Sequence, residues 1–143
     1  MIRDSIPLEE ITEGMSACYS QTITDADIKS FAGLSGDHNP IHVSDTYAED
    51  SRFGKRIAHG MISASFFSAL FGTKLPGYGC VYAAQTLNFR YPVFIGDTVT
   101  ATITVKSIDI DNKKITFDTT CSVGRKKVIT GEAIIFIPEK KKN

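Results

Sequence analysis

The chain has 143 residues, 42% hydrophobic and 22% charged, which fits one globular domain over residues 1–143 whose core needs neither disulfides nor metal. Sixteen Lys and Arg balance sixteen Asp and Glu, so no overall basic field exists to collect nucleic acid or an anionic membrane, and neither is an expected partner. The balance hides a split: residues 1–50 carry two basic and ten acidic side chains, residues 51–143 fourteen and six, which reads either as two solvated faces or as a basic region for a phosphate-bearing ligand.

In chain order, Thr24 followed by Asp25 and Asp27 is a helix start, with acidic groups at the positive end of the dipole and Ile28, Phe31 and Ala32 as an apolar stripe. That helix is predicted to end near Gly33. From Leu34 to Arg56 the chain is rich in Gly, Asp, Asn, Pro and Ser, which predicts an ordered loop with one short helix around residues 45–49. Residues 59–71, HGMISASFFSALF, carry no Asp, Glu, Lys or Arg and are apolar or small on every side. A helix of that composition is predicted to be buried, with Gly72 placed to end it.

Strands follow. Leu87, Phe89, Tyr91 and Val93 alternate with polar residues or Pro, and Val99, Ala101, Ile103 and Val105 repeat the period of two. The apolar phase then moves to Ile108 and Ile110, which predicts a bulge near Lys106 and Ser107. Asp111-Asn112-Lys113 reads as a turn, Ile115 to Val123 as a strand, Gly124-Arg125 as a second turn, and Val128 to Ile137 as a last strand apolar on both faces. One long helix followed by strands joined by short turns is an α+β order, packed most simply as a sheet around the helix. The run Lys140, Lys141, Lys142 reads as a solvated tail.

Cys18, Cys80 and Cys121 are odd in number and form no CxxC pair, which argues against a disulfide framework and suits a reducing, cytoplasmic setting. The first residues lack an apolar export core, and no apolar run approaches the roughly 20 residues of a bilayer span.

Chemistry concentrates in Ser35-Gly36-Asp37-His38-Asn39-Pro40-Ile41-His42. Pro40 lacks an N–H and pushes Asn39 towards extended backbone, so Asp37 and His42 do not share one continuous helix. On a folded loop a carboxylate and an imidazole can converge on one water, as acid/base addition of water requires; a capping Asp and a surface His fit the same spacing. His38 and His42 have an HxxxH spacing, but Pro40 spoils the helix and no Glu follows His38, so no metal is expected. Gly60, opening the buried helix, places free N–H groups where an oxyanion would sit, or merely lets the chain enter the core closely. Ser65 and Ser68 share one helix face, where back-bonding to carbonyls is the common role.

The runs FAGLSGDHNPIHV, IAHGMISASFFSALFG and LNFRYPVFIGDTVTATITV resemble the MaoC-like (R)-specific enoyl-CoA hydratases, with their motif order and spacing, from about Ile23 through the last strand. The resemblance implies a hot-dog fold, in which a curved antiparallel sheet wraps a long central helix, and a homodimer with active sites near its interface. It places the family's catalytic Asp and His on Asp37 and His42, its Asn on Asn39, the glycine that holds the thioester oxygen on Gly60, and the helix serine near the reacting group on Ser68. Phe31 stands where many relatives have Tyr. The implied reaction is reversible syn addition of water to a trans-2-enoyl-CoA, giving a (3R)-hydroxyacyl-CoA without a cofactor, with His42 preferred as the base. Phe71, one turn beyond Ser68, has the bulk and register to cap an acyl tunnel, and Arg90, Arg125, Lys126 and Lys127 offer charge for coenzyme A phosphates.

Two relatives of that reading stay open from sequence: a (3R)-hydroxyacyl-[acyl carrier protein] dehydratase, which would use the same residues, and a non-catalytic acyl-CoA-binding module. The thioesterase branch of the fold, which typically uses a carboxylate on or near the central helix, fits poorly because no Asp or Glu lies between Phe53 and Gly96.

Overall fold

The computed structural model describes residues 4–139, so the lysine run at 140–142 lies outside the described residues. After a single 3₁₀ turn at Leu8–Glu10 come strand β1 (Ser16–Thr22), helix α1 (Asp25–Ser35), the short helices α2 (Pro40–Val43) and α3 (Asp45–Glu49), and the long helix α4 (Gly60–Thr73). Strands β2 (Val81–Gln85), β3 (Asn88–Phe89), β4 (Thr98–Asp109), β5 (Lys114–Val123) and β6 (Lys126–Phe136) complete the order. All pair antiparallel in one sheet, β1-β4-β5-β6-β2, with β3 also on β6. This is the α+β arrangement expected, with α4 packed on β4, β1 and β5.

The inward faces of Val99, Ala101, Ile103 and Val105 on β4 and Ile115, Phe117 and Cys121 on β5 meet Phe66, Phe67, Leu70 and Phe71 of α4 in one core. Phe67 is fully buried, worth about 2–3 kcal/mol relative to exposure. The outward face of β4 is threonine, and its hydroxyls pair with those of β1 across the strands: Ser20 with Thr100 and Thr22 with Thr98, both at 2.7 Å. The predicted bulge lies between Val105 and Ser107.

Several expectations are corrected. Helix α1 continues to Ser35 rather than stopping near Gly33, because the residue that turns left-handed is Gly36 (φ 79°), whose N–H still bonds to Ala32 O at 2.9 Å. Helix α4 passes through Gly72, since Thr73 Oγ1 and Lys74 N hold a last turn to the carbonyls of Ala69 and Leu70. The long strand expected over 86–93 shrinks to Asn88–Phe89. Arg90 N–H still reaches Val128 O, but Pro92 has no N–H to offer, and the chain leaves the sheet so that Val93 O accepts from Ala58 at 2.7 Å. Strands β1 and β2 lie outside the segments whose alternation predicts a strand. In β6, Ala133 and Ile135 are buried while Ile134 faces outward; Val128 and Ile129 are buried in succession because the register shifts opposite Cys121 and Ser122. Finally, α4 is not buried all round: Met61, Ser65, Ser68 and Ala69 form an open flank.

Candidate active site

The loop between α1 and α2 is built as a staircase of side-chain caps. Ser35 Oγ donates to Phe31 O (2.7 Å) and accepts from Asp37 N–H (3.1 Å); Asp37 Oδ1 accepts from Asn39 N–H (3.2 Å); Asn39 Oδ1 accepts from Ile41 N–H (3.2 Å). Each oxygen reaches the N–H two residues on, the reason Ser, Asp and Asn alternate here. Pro40 then starts α2, where its missing N–H costs nothing. Asp37 thereby spends one carboxylate oxygen on the loop and keeps Oδ2.

His42, at the end of α2, is 9% exposed. Its Nδ1 lies 2.7 Å from Ile57 O; a carbonyl only accepts, so Nδ1 carries the proton and Nε2 the lone pair. Arg56 anchors the same turn. Its guanidinium donates to Asp25 (2.7 Å), Asp45 (2.8 Å) and the carbonyl of His42 (3.3 Å), joining α1, α2 and α3. Lys29 and then Arg56 hold the Asp25 carboxyl below its ordinary range.

His59, absent from the residues the sequence singled out for chemistry, completes the cluster. It is 3% exposed, its Nε2–H donates to the backbone carbonyl of Asp37 at 2.9 Å, and its ring stacks on His42 with centroids 3.9 Å apart and planes 28° from parallel. Donor atoms of Asp37, His42 and His59 all lie within 4.8 Å of one another. The sequence signal for His59 was a polar residue placed immediately before an uncharged apolar helix.

Gly60 and His42 line one cavity of 270 Å³ together with Ser63, Phe89, Arg52 and Arg90. A Cβ on Gly60 would stand 2.5 Å from the Phe89 ring, so any side chain there would displace that ring. No acceptor for the Gly60 N–H occurs among the described residues, and α4's dipole adds positive potential at that end. Ser68 and Ser65 line a second groove of 550 Å³ with Phe31, Met61, Tyr82 and Leu87. Phe71 lines neither; it is buried, with its ring edge-on to Tyr82 (5.1 Å) and Phe117 (4.8 Å). Burial, with a smaller contribution from Cys121, pushes the Tyr82 phenol up to about 12. The structure therefore brings Asp37, His42 and Gly60 to one end of α4, sets Ser68 along its open flank, and puts Phe71 behind that flank.

A helix packed on a six-stranded antiparallel sheet, with an Asp/His pair held over the helix N-terminus, is the hot-dog-fold architecture of the thioester hydratases. The solved (R)-hydratase from Aeromonas caviae, described as involved in PHA biosynthesis, superposes with a TM-score of 0.88 at 38% identity over 91% of this chain and 99% of that one. The (R)-specific enoyl-CoA hydratase of Rhodospirillum rubrum is 54% identical over 130 residues, 91% of this chain and 90% of that protein. The 3-hydroxybutyryl-CoA dehydratase of Methylorubrum extorquens is 42% identical over 92% of this chain and 84% of its own length. The MaoC-like domain model matches residues 8–130; the chain belongs to the MaoC-like family.

Proposed function

We propose that this chain is an (R)-specific enoyl-CoA hydratase, a hydro-lyase that adds water reversibly and syn to trans-2-enoyl-CoA to give (3R)-hydroxyacyl-CoA, acting as one MaoC-like domain over residues 1–143. The orientation of His42 carries the reading: a buried imidazole whose Nδ1–H is committed to Ile57 O offers a bare Nε2, the form a general base needs. His42 takes a proton from water as the oxygen bonds to C3. The alkene electrons move towards the thioester oxygen, Asp37 delivers a proton to C2, and the proton held by His42 then replaces the one Asp37 gave, so both groups end as they began and the sum is one water added. The Gly60 N–H stabilises the oxygen as charge develops, a contribution whose loss typically costs about 3 kcal/mol.

Substrate binding is assigned on position. Asn39 uses Oδ1 to cap α2, which leaves its amide NH₂ to meet the substrate. Ser68 borders the acyl groove, and Phe71, through its contact with Tyr82, limits the depth of that groove. Arg52 and Arg90 beside His42 suit the phosphates of coenzyme A. The edge strand β2 exposes Val81, Tyr82, Ala83 and Ala84 next to the open flank of α4, an apolar edge that pairing with a second copy would cover. A homodimer is the reading, and a monomer in sedimentation at micromolar concentration contradicts it. The three cysteines are free, in keeping with a reducing cytoplasm, and among the described residues no helix is long and apolar enough to cross a membrane.

The test is loss of the conjugated-enoyl absorbance of crotonyl-CoA in wild type and Asp37→Asn. Hydration abolished in the variant supports the assignment. Turnover only of carrier-protein thioesters moves it to the acyl carrier protein dehydratases, and binding without turnover moves it to a non-catalytic module.

A further inference from the structure

His59 is the one buried ionisable ring at the site that the mechanism above leaves unused. We infer that it is the positioning residue of the site: through one hydrogen bond and one stacking contact it fixes Asp37 and His42 relative to each other and to Gly60. This rests on the hydratase reading and adds a residue to it.

The two reacting side chains come from different elements. Asp37 belongs to an exposed loop and His42 to the four-residue helix α2, and no direct hydrogen bond between them occurs among the described residues. Helix α2 is a single turn and the Asp37 loop is held mainly by its own caps, so neither is rigid by itself. His59 touches both. Its Nε2–H holds the Asp37 carbonyl at 2.9 Å, one face lies on the His42 ring, and Phe31 of α1 meets the ring at 4.8 Å. The residue that follows is Gly60, so the distances among base, carboxylate and oxyanion donor are all referred to one point on the backbone, the N-cap of α4.

The tautomer follows from the same contacts. With Nε2 donating to a carbonyl, Nδ1 carries the lone pair, and this buried Nδ1 has no partner. Ser63 Oγ, one helical turn on, is the other buried side-chain atom without a partner among the described residues. An acceptor and a hydroxyl spaced i, i+4 on one helix can share a bridging water that locks the His59 tautomer. His59 acts through Asp37 and His42 and not on the substrate, so its loss is expected to lower kcat while leaving substrate binding in place.

Two variants separate its contacts. His59→Phe keeps a ring against His42 and removes the donor to Asp37; His59→Gln keeps a donor and removes the stack. Both are measured for kcat, KM and melting temperature on crotonyl-CoA beside Asp37→Asn. The expected result is a kcat lowered about 10–100-fold in His59→Phe with KM within about threefold of wild type, and a smaller loss in His59→Gln. Wild-type kcat in both variants, or a kcat that falls only in proportion to the unfolded fraction, overturns the inference. Activity that survives Asp37→Asn overturns instead the site assignment beneath it. The inference is also read without turnover: the chain has three histidines, so the ¹⁵N imidazole spectrum of wild-type protein resolves each ring. His59 protonated on Nε2 and bare on Nδ1 supports the positioning role, and the opposite tautomer removes the bond to Asp37 on which it stands.

Discussion

The Nδ1 of His42 lies 2.7 Å from the carbonyl oxygen of Ile57, which ties a single-turn helix to the segment leading into α4 and leaves Nε2 as the only basic nitrogen of the ring. An Asn side chain reaches about as far as Nδ1 and can donate to the same carbonyl, but carries no base at the Nε2 position. His42→Asn is expected to melt within a few degrees of wild type and to lose about 10²–10⁴-fold in kcat. A parallel collapse of melting temperature and activity would make the role of His42 structural.

Gly60 touches the Phe89 ring where a Cβ would lie. Phe89 is 54% exposed, so its ring can swing away and Gly60→Ala is expected to fold, with kcat lowered about tenfold by the altered approach to the N–H. Adding Phe89→Ala should restore packing but not full rate; complete recovery of kcat in the double variant would reduce the glycine to a packing requirement.

Gly131 on β6 is a different case. A Cβ there would stand 1.9 Å from the backbone oxygen of Thr86, which is flanked by strands β2 and β3 and cannot move alone. Gly131→Ala is expected to destabilise the protein by about 3 kcal/mol, measured by denaturant unfolding, and an unchanged midpoint would contradict the packing described.

Burial pushes the Cys121 thiol up to about 12. The native state therefore holds this proton more tightly than the unfolded chain, and its contribution to stability is complete below the ordinary thiol value near 9 and is lost as pH rises from there towards 12. Cys121→Ala is expected to flatten the decline of stability between pH 9 and 11. Thiol reagents at pH 8 should label the exposed Cys18 and spare Cys121 until denaturant is added; rapid native labelling of Cys121 would contradict its burial.

Legibility in the sequence followed the strength of the local pattern. The capping box at Thr24 and Asp27, the uncharged run that became α4, the bulge beside Lys106 and the turn at 111–113 all carry local signals, and all appear. Strand β1 carries little apolar signal because its outward face is Ser16, Cys18, Ser20 and Thr22, and the hydroxyls of Ser20 and Thr22 find partners on β4 more than 70 positions away in sequence. Over 86–93 the apolar alternation runs on beyond Phe89, where the paired strand ends, because a period of two does not register the N–H that Pro92 lacks. At the site, Asp37, His42 and Gly60 stood out through motif and chemistry. His59 did not, since its importance lies in a stacking contact and a bond to a carbonyl 22 residues earlier, neither of which leaves a spacing to read.

The most direct test of the central claim is hydration of crotonyl-CoA in D₂O, followed by determination of the configuration at C2 and C3 of the product. His42 and Asp37 on one side of the alkene deliver oxygen and deuterium to the same face, so the expected product is the (3R)-hydroxyacyl thioester with syn addition. A (3S) product, or deuterium placed anti to the hydroxyl, would contradict the arrangement of the two residues around a single water.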